Sequence, residues 1–171
     1  LLTAAPAWAN QAESVARVKA MWWIAPISSV LALIMAIVFY RMMKGADEGS
    51  AIMKEIAQAV REGAYAYLSR QYRVVTMVFG VMLLILGALA YMGIQNPFVP
   101  IAFLTGGFFS GLSGYFGMKT ATYASNRTAQ GAVSSLNKAL KVAFRSGAVM
   151  GMVVVGFGLL GIAIWYLVLN R

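Results

Sequence analysis

Four long apolar runs, separated by basic segments, dominate the pattern of hydrophobic and polar positions along this chain. They cover approximately residues 22–43, 74–94, 97–123 and 142–169. Each run is long enough for the roughly 20-residue α-helix that crosses about 30 Å of hydrocarbon. The pattern predicts an all-α fold: a polytopic transmembrane helix bundle over residues 22–171, with four membrane helices and cytoplasmic loops at 44–73 and 124–141.

The positions of lysine and arginine predict how these helices are oriented. Basic residues lie between the first and second runs and between the third and fourth, whereas the turn "GIQNP" at 93–97 has none. Positive residues accumulate on the cytoplasmic side of membrane proteins. We therefore expect both basic loops inside, the N-terminus outside, and a multi-pass protein of a bacterial inner membrane.

Residues 1–21 form a leader that this orientation places on the periplasmic or extracellular side. The leader reaches Ala7-Trp8-Ala9, a small-x-small pattern that is typical of a signal-peptide cleavage site. Two interpretations stay open, a signal-peptide remnant and an ordinary alanine-rich leader. Because the chain starts with Leu1 rather than methionine, we expect the gene product to begin further upstream.

The first basic segment predicts a helix of its own rather than a plain tether. "GADEG" at 45–49 breaks the first helix, and Ser50 can cap the next one. Apolar residues then recur at helical spacing, opposite a face of mixed charge: Ile52, Ile56, Val60, Ala64 and Tyr67. Such a helix can lie in the membrane interface or dock on protein. The mixed charge favours docking, because interfacial helices are usually more uniformly basic.

The third and fourth runs contain glycine at a spacing that suits close helix packing. Gly107 and Gly111 form one G-x-x-x-G pair, and Gly147 and Gly151 form another. Small residues let helix backbones approach each other in lipid, where there is no hydrophobic drive between helices. We expect these pairs to contact neighbouring helices, which a lone membrane anchor does not need.

Composition narrows the chemistry further. The chain is 61% hydrophobic and 11% charged, whereas soluble domains have about 25% charged residues. The net charge of +9 is explained by basic loops and not by nucleic-acid binding, because no soluble basic domain remains beside the spans. Cysteine and histidine are absent, which removes thiolate metal sites and the usual neutral-pH general base.

Acidic residues are few, and all lie in the N-terminal part: Glu13, Asp47, Glu48, Glu55 and Glu62. Magnesium-dependent phosphate chemistry needs clustered carboxylates, and ion translocation needs ionisable groups at membrane depth. We therefore predict no catalytic, cofactor-binding or metal-binding residue in this stretch. Asn126-Arg127-Thr128 matches the N-glycosylation pattern, but the predicted orientation places it inside, so that interpretation is rejected.

Three segments together resemble one family, the membrane-bound, ion-translocating inorganic pyrophosphatases. They are "EIAQAVREGAYAYLSRQYR" (55–73), "SGLSGYFGMKTATYASNRTAQGA" (110–132) and "ALKVAFRSGAVMG" (139–151). The matches fall in the family's order and topology and extend to about residue 161, with Ser125 where alanine is usual. The leader and first run fit only by hydropathy and position.

The resemblance implies a homodimer with about sixteen membrane helices per chain. Such a protein hydrolyses pyrophosphate with Mg²⁺ and exports sodium or protons, and K⁺ is a candidate activator. The family's substrate-binding segments begin after the fourth span. We therefore expect this chain to be an N-terminal, outer-ring fragment that is inactive alone, with the remaining helices of the same polypeptide and the lipid bilayer as partners.

Two further expectations belong to this interpretation. Arg61, Arg70 and Arg73 should contact acidic loops or lipid headgroups rather than substrate. The alternative hypothesis is a complete small four-helix membrane protein that acts, without enzymatic activity, as a transporter subunit or assembly factor.

Overall fold

A computed structural model describes residues 22–169 as four long α-helices joined by short turns. The helices are α1 (Ile24–Lys44), α2 (Ala51–Tyr91), α3 (Phe98–Ser134) and α4 (Leu136–Leu169). All four are long and apolar enough to cross a membrane, and the described part of the chain has no strand. The predicted all-α transmembrane bundle is confirmed. The expected leader, residues 1–21, lies outside the described residues.

Two helices are much longer than a bilayer requires. α2 has 41 residues and α3 has 37, so they measure about 60 Å and about 55 Å against about 30 Å of hydrocarbon. The connecting segments 44–73 and 124–141 are therefore mostly helix, as the apolar spacing after Ser50 predicts for the first of them. The apolar runs mark where hydrophobicity ends, but a helix continues until a residue breaks its backbone hydrogen bonding.

Glycine and polar caps supply the breaks in the first two turns. Gly49 and Gly93 have positive φ angles of 86° and 73°, a region that favours glycine. The Ser50 hydroxyl accepts a hydrogen bond from the Met53 amide, as the sequence predicts for a cap. At the next turn the side chain of Asn96 accepts from the Phe98 amide at 2.9 Å and starts α3.

One residue, Ser135, reverses the chain between α3 and α4. Its backbone is extended, and its hydroxyl accepts a hydrogen bond from the Lys138 amide at 3.3 Å. Gly131 makes the sharp reversal possible, because a Cβ at this position would lie 3.0 Å from the backbone nitrogen of Ala139.

The helices pack in the spatial order α2, α3, α4, α1, so that α4 lies between α1 and α3. The buried core is small. One cluster joins Ala36 of α1 to Val149 and Val153 of α4, and a second joins Met43, Ala124 and Val142. The most apolar window of α2 has no buried residue. Most of the large apolar surface is therefore free to contact lipid or other helices.

Polar side chains add a hydrogen bond at the three largest helix interfaces. The Ser29 hydroxyl of α1 donates to the carbonyl of Gly156 of α4 at 2.7 Å, and both residues are buried. The Trp165 indole of α4 donates to Thr105 of α3 at 2.8 Å. The Tyr72 hydroxyl of α2 donates to the carbonyl of Gly111. Such bonds hold helices together where the surrounding solvent is lipid.

Within the described unit, only one glycine of the two G-x-x-x-G pairs lies in a close helix contact, and for the other three the expected contact with further helices stays a prediction. A Cβ on Gly111, Gly147 or Gly151 would meet no atom of the described residues within 4 Å, and only Gly107 of the two pairs faces a neighbour, the ring of Phe79. The spacing of the pairs correctly finds small residues. It does not indicate which side of each helix the neighbour occupies.

Gly156 is the glycine of α4 at which an added side chain would clash with α1. A Cβ there would lie 2.8 Å from the side chain of Leu33 and 3.4 Å from the carbonyl of Ser29. In the complete protein we expect Gly156→Ile to lower the free energy of unfolding by about 1–3 kcal/mol, the usual cost of overpacking. A detergent-denaturation titration measures it.

Gly158→Ile is the matched control, because it adds the same side chain to the same helix two positions away, outside the G-x-x-x-G pairs, where a Cβ would meet no atom of the described residues within 4 Å. If the two variants unfold at the same detergent concentration, the close α1–α4 contact at Gly156 is not what holds these helices together.

Candidate functional site

The carboxylates of the described residues do not form a metal site. Asp47 and Glu48 lie in the turn between α1 and α2, and Glu55 and Glu62 lie along α2. Within residues 22–169 no group of three or more histidine, cysteine or acidic side chains could hold a metal ion. The expectation that this stretch has no catalytic residue stays a prediction. The organised polar groups instead connect helices to each other.

Arg127 of α3 is a buried cation at the basic end of the bundle, with only 2% of its surface exposed. Its Nε donates to the carbonyl of Ala46 at 3.2 Å, its Nη1 donates to the carbonyl of Tyr123 at 2.5 Å, and its Nη2 pairs with the carboxylate of Glu48. A buried charge is costly unless it is paired and hydrogen-bonded. The turn between α1 and α2 supplies the anion and one of the two carbonyls.

Two amide side chains beside Arg127 extend this contact. The Asn126 amide donates to the backbone carbonyl of Glu48 at 2.9 Å, and Gln130 lies 3.5 Å from a carboxylate oxygen of Asp47. We call this set of residues the Arg127 junction: Ala46, Asp47, Glu48, Asn126, Arg127 and Gln130. Asn126 is 5% exposed and uses its amide nitrogen within the junction, which agrees with the rejection of the glycosylation motif.

A cation–π contact connects α2 to the same region. The guanidinium of Arg61 lies 4.2 Å from the centroid of the Tyr123 ring, and the carbonyl of Tyr123 accepts from Arg127. Tyr123 thus contacts one arginine with its ring and another with its backbone. Arg61 therefore contacts an aromatic ring within the described unit, and the expectation that it meets acidic loops or lipid headgroups rather than substrate stays a prediction. Arg70 and Arg73 are exposed and form no ion pair within residues 22–169.

The apolar stripe of α2 points away from α3. Ala57 and Leu68 are buried against the bundle, whereas Ile52, Ile56 and Tyr67 are each about 60% exposed or more. The helix predicted from this spacing is present, but its apolar face does not pack inside the described unit. Whether that face lies in the interface or docks on protein stays open between the two alternatives.

Comparison with known families shows where this arrangement belongs. The family model described as "Inorganic H+ pyrophosphatase" matches residues 30–171, which include α2, α3, α4 and most of α1. The chain belongs to this family. The resemblance inferred from three segments is therefore confirmed, and it extends into α1, beyond those segments.

Individual relatives of this chain carry the names of ion pumps. A protein of Bacteroides thetaiotaomicron named "Putative K(+)-stimulated pyrophosphate-energized sodium pump" is 57% identical over 88% of this chain. Two named "K(+)-insensitive pyrophosphate-energized proton pump", from Moorella thermoacetica (number 2) and Methanosarcina mazei, are 45% and 38% identical over 81% and 84% of it. The chain spans about a fifth of each relative: 21%, 20% and 21%.

Sequence reasoning missed the Arg127 junction, although one feature of the sequence indicated it. Asp47 and Glu48 are adjacent acids in a chain with almost none, and they lie directly after a predicted span. Such a pair suggests a cationic partner. The partner is 79 positions away from Glu48 in the sequence, and no local pattern shows which of the many arginines and lysines it is.

Removal of the Arg127 side chain tests the junction in the complete protein. We expect Arg127→Ala to lower the free energy of unfolding by about 2–4 kcal/mol, somewhat less than the loss of a fully buried pair, because Glu48 is 39% exposed. The same detergent titration measures the change.

Lys138→Ala is the control for charge, because Lys138 is exposed near the junction and its side chain forms no hydrogen bond or ion pair within residues 22–169. Its effect should stay within about 0.5 kcal/mol. Equal unfolding of the two variants would show that the contacts of Arg127 add nothing to stability.

Proposed function

We propose that the complete protein is a pyrophosphate-energised ion pump that couples Mg²⁺-dependent pyrophosphate hydrolysis to the export of sodium or protons. The observation that carries this proposal is the family match over residues 30–171. It is supported by relatives whose names specify a sodium pump and proton pumps. The names also differ in K⁺ stimulation, so K⁺ is a candidate activator of the complete protein.

Within that pump, we propose that this stretch is outer scaffold without an active site and is inactive alone. Its carboxylates do not fit magnesium: Glu48 is engaged by Arg127, and no cluster of potential ligands exists among the described residues. No step of hydrolysis is therefore assigned to it. Its exposed apolar surface suits contact with lipid and with further helices of the same polypeptide, and a homodimer is the proposed assembly.

We further propose an orientation with the Arg127 junction in the cytoplasm and the N-terminus outside, across a bacterial inner membrane. The C-terminal end of α1, the start of α2 and the turn at Ser135 all lie at the basic end of the bundle. At the opposite end Trp22 stacks on Tyr166 with 5.6 Å between ring centroids. Aromatic rings at this level suit the membrane interface. In this proposal the membrane domain starts at residue 22.

Reconstitution of the complete protein in liposomes tests the pump. Addition of magnesium and pyrophosphate should produce phosphate and, at the same time, accumulation of either radioactive sodium or protons inside the vesicles. A non-hydrolysable pyrophosphate analogue should produce neither. Hydrolysis without movement of either ion, or absence of hydrolysis by protein that is folded in the membrane, contradicts the proposal.

A further inference from the structure

A crevice of about 550 Å³ opens between α1, α3 and α4, separate from the Arg127 junction. One face of α1 forms its long wall, because the lining positions of this helix recur at intervals of three or four residues. They are Leu33, Ala36, Ile37, Tyr40, Arg41 and Lys44. The wall is apolar along most of its length and basic at the end where α1 terminates.

The other two helices add residues to the same apolar part and the same basic end of the crevice. α4 adds Val149, Val153 and Phe157 to the apolar part, and α3 adds Lys119 to the basic end. Lys119 is half-buried, whereas Arg41 and Lys44 are exposed. No carboxylate lines the crevice, and none of these cations forms an ion pair within residues 22–169. We call Arg41, Lys44 and Lys119 the cationic collar.

The length of the crevice matches one leaflet of a bilayer. From Leu33 to Lys44 the chain advances 11 residues, which is about 16 Å along an α-helix. Half of the hydrocarbon thickness is about 15 Å. When the collar lies at the membrane surface, the apolar floor beside Leu33 and Phe157 therefore lies near the midplane.

We propose that this crevice binds one anionic phospholipid from the leaflet at the basic end of the bundle. An acyl chain lies along the apolar wall, and the phosphate of the headgroup pairs with Arg41, Lys44 and Lys119. Anionic lipids are recognised by basic pockets between membrane helices in this manner. The inference uses the proposed level of the helix ends in the membrane, and it does not depend on pump activity.

The positive charge of the collar favours a lipid over a protein helix as the occupant of the crevice. An apolar helix in the crevice would leave three cations beside it without a counter-ion, unless it also brought an acidic residue to the collar. A phospholipid brings its own negative charge at the correct distance from its chain. The crevice combines an apolar wall about one leaflet long with the cationic collar at its end, which matches that molecule.

Competition between two lipids tests the proposal in the complete protein. Native mass spectrometry compares retention of phosphatidylglycerol and phosphatidylcholine with identical acyl chains. The unmodified protein should retain one more phosphatidylglycerol per chain than Arg41→Gln/Lys44→Gln/Lys119→Gln. The affinity of this site should fall about a hundredfold, since each cation near a membrane surface contributes roughly fivefold.

Two matched controls separate the collar from total charge and from bulk. Lys54→Gln/Arg70→Gln/Arg73→Gln removes three exposed cations of α2 that do not line the crevice, and it should retain the lipid. Ile37→Trp fills the crevice and should displace the lipid with the collar intact. Ile34→Trp places the same ring on α1 outside the crevice and should not.

Three results overturn the proposal. The first is equal lipid retention by the collar variant and the α2 control. The second is equal retention of phosphatidylcholine and phosphatidylglycerol, since the collar would then not distinguish an anionic headgroup from a zwitterionic one. The third is loss of the additional phosphatidylglycerol when millimolar inorganic phosphate is added. The collar would then bind a free anion in preference to the lipid.

Discussion

Lipid is the solvent on which the form of this unit depends. In hydrocarbon a helix satisfies its own backbone hydrogen bonds, but apolar side chains gain little by leaving one apolar environment for another. Association must come from close packing and from polar contacts between helices. The small core, the approach at Gly156 and the single hydrogen bonds made by Ser29, Tyr72 and Trp165 are what that constraint predicts.

The Arg127 junction supplies hydrogen-bond partners for the backbone at the basic end of the bundle. There the chain leaves α1, turns and starts α2, so the backbone groups of the turn need partners. Arg127 and Asn126 of α3 supply donors to the carbonyls of Ala46 and Glu48. The junction thereby fixes the turn on α3, and Arg61 holds the start of α2 on the same surface through Tyr123. Three helices, α1, α2 and α3, are thus joined by a few polar residues.

The sequence predicts the helices well because hydrophobic runs and helix caps are local properties. Ser50 and the break before it are read directly from residues 45–50. The sequence does not predict which residues of different helices contact each other. The pairing of Arg127 with Glu48 and the open space at Gly111, Gly147 and Gly151 depend on which faces of distant helices meet. Helical spacing fixes the face of each helix but not its neighbour.

The family resemblance was within reach of the sequence because three segments carry it together, and the match over residues 30–171 confirms it. The prediction that this stretch has no active site rests on a different argument, the scarcity of carboxylates. Of the five, Glu48 is held by Arg127. The other four are Glu13, Asp47, Glu55 and Glu62, and the scaffold account gives them no part in hydrolysis.

The most direct measurement neutralises those four together in the complete protein, as Glu13→Gln, Asp47→Asn, Glu55→Gln and Glu62→Gln, and leaves Glu48 unchanged. The turnover number for magnesium pyrophosphate at saturation should stay within about threefold of the unmodified protein, as substitutions away from the chemistry do. A loss of about a hundredfold or more, with the protein still folded, is typical of a lost acid–base group and would place catalytic chemistry in this stretch.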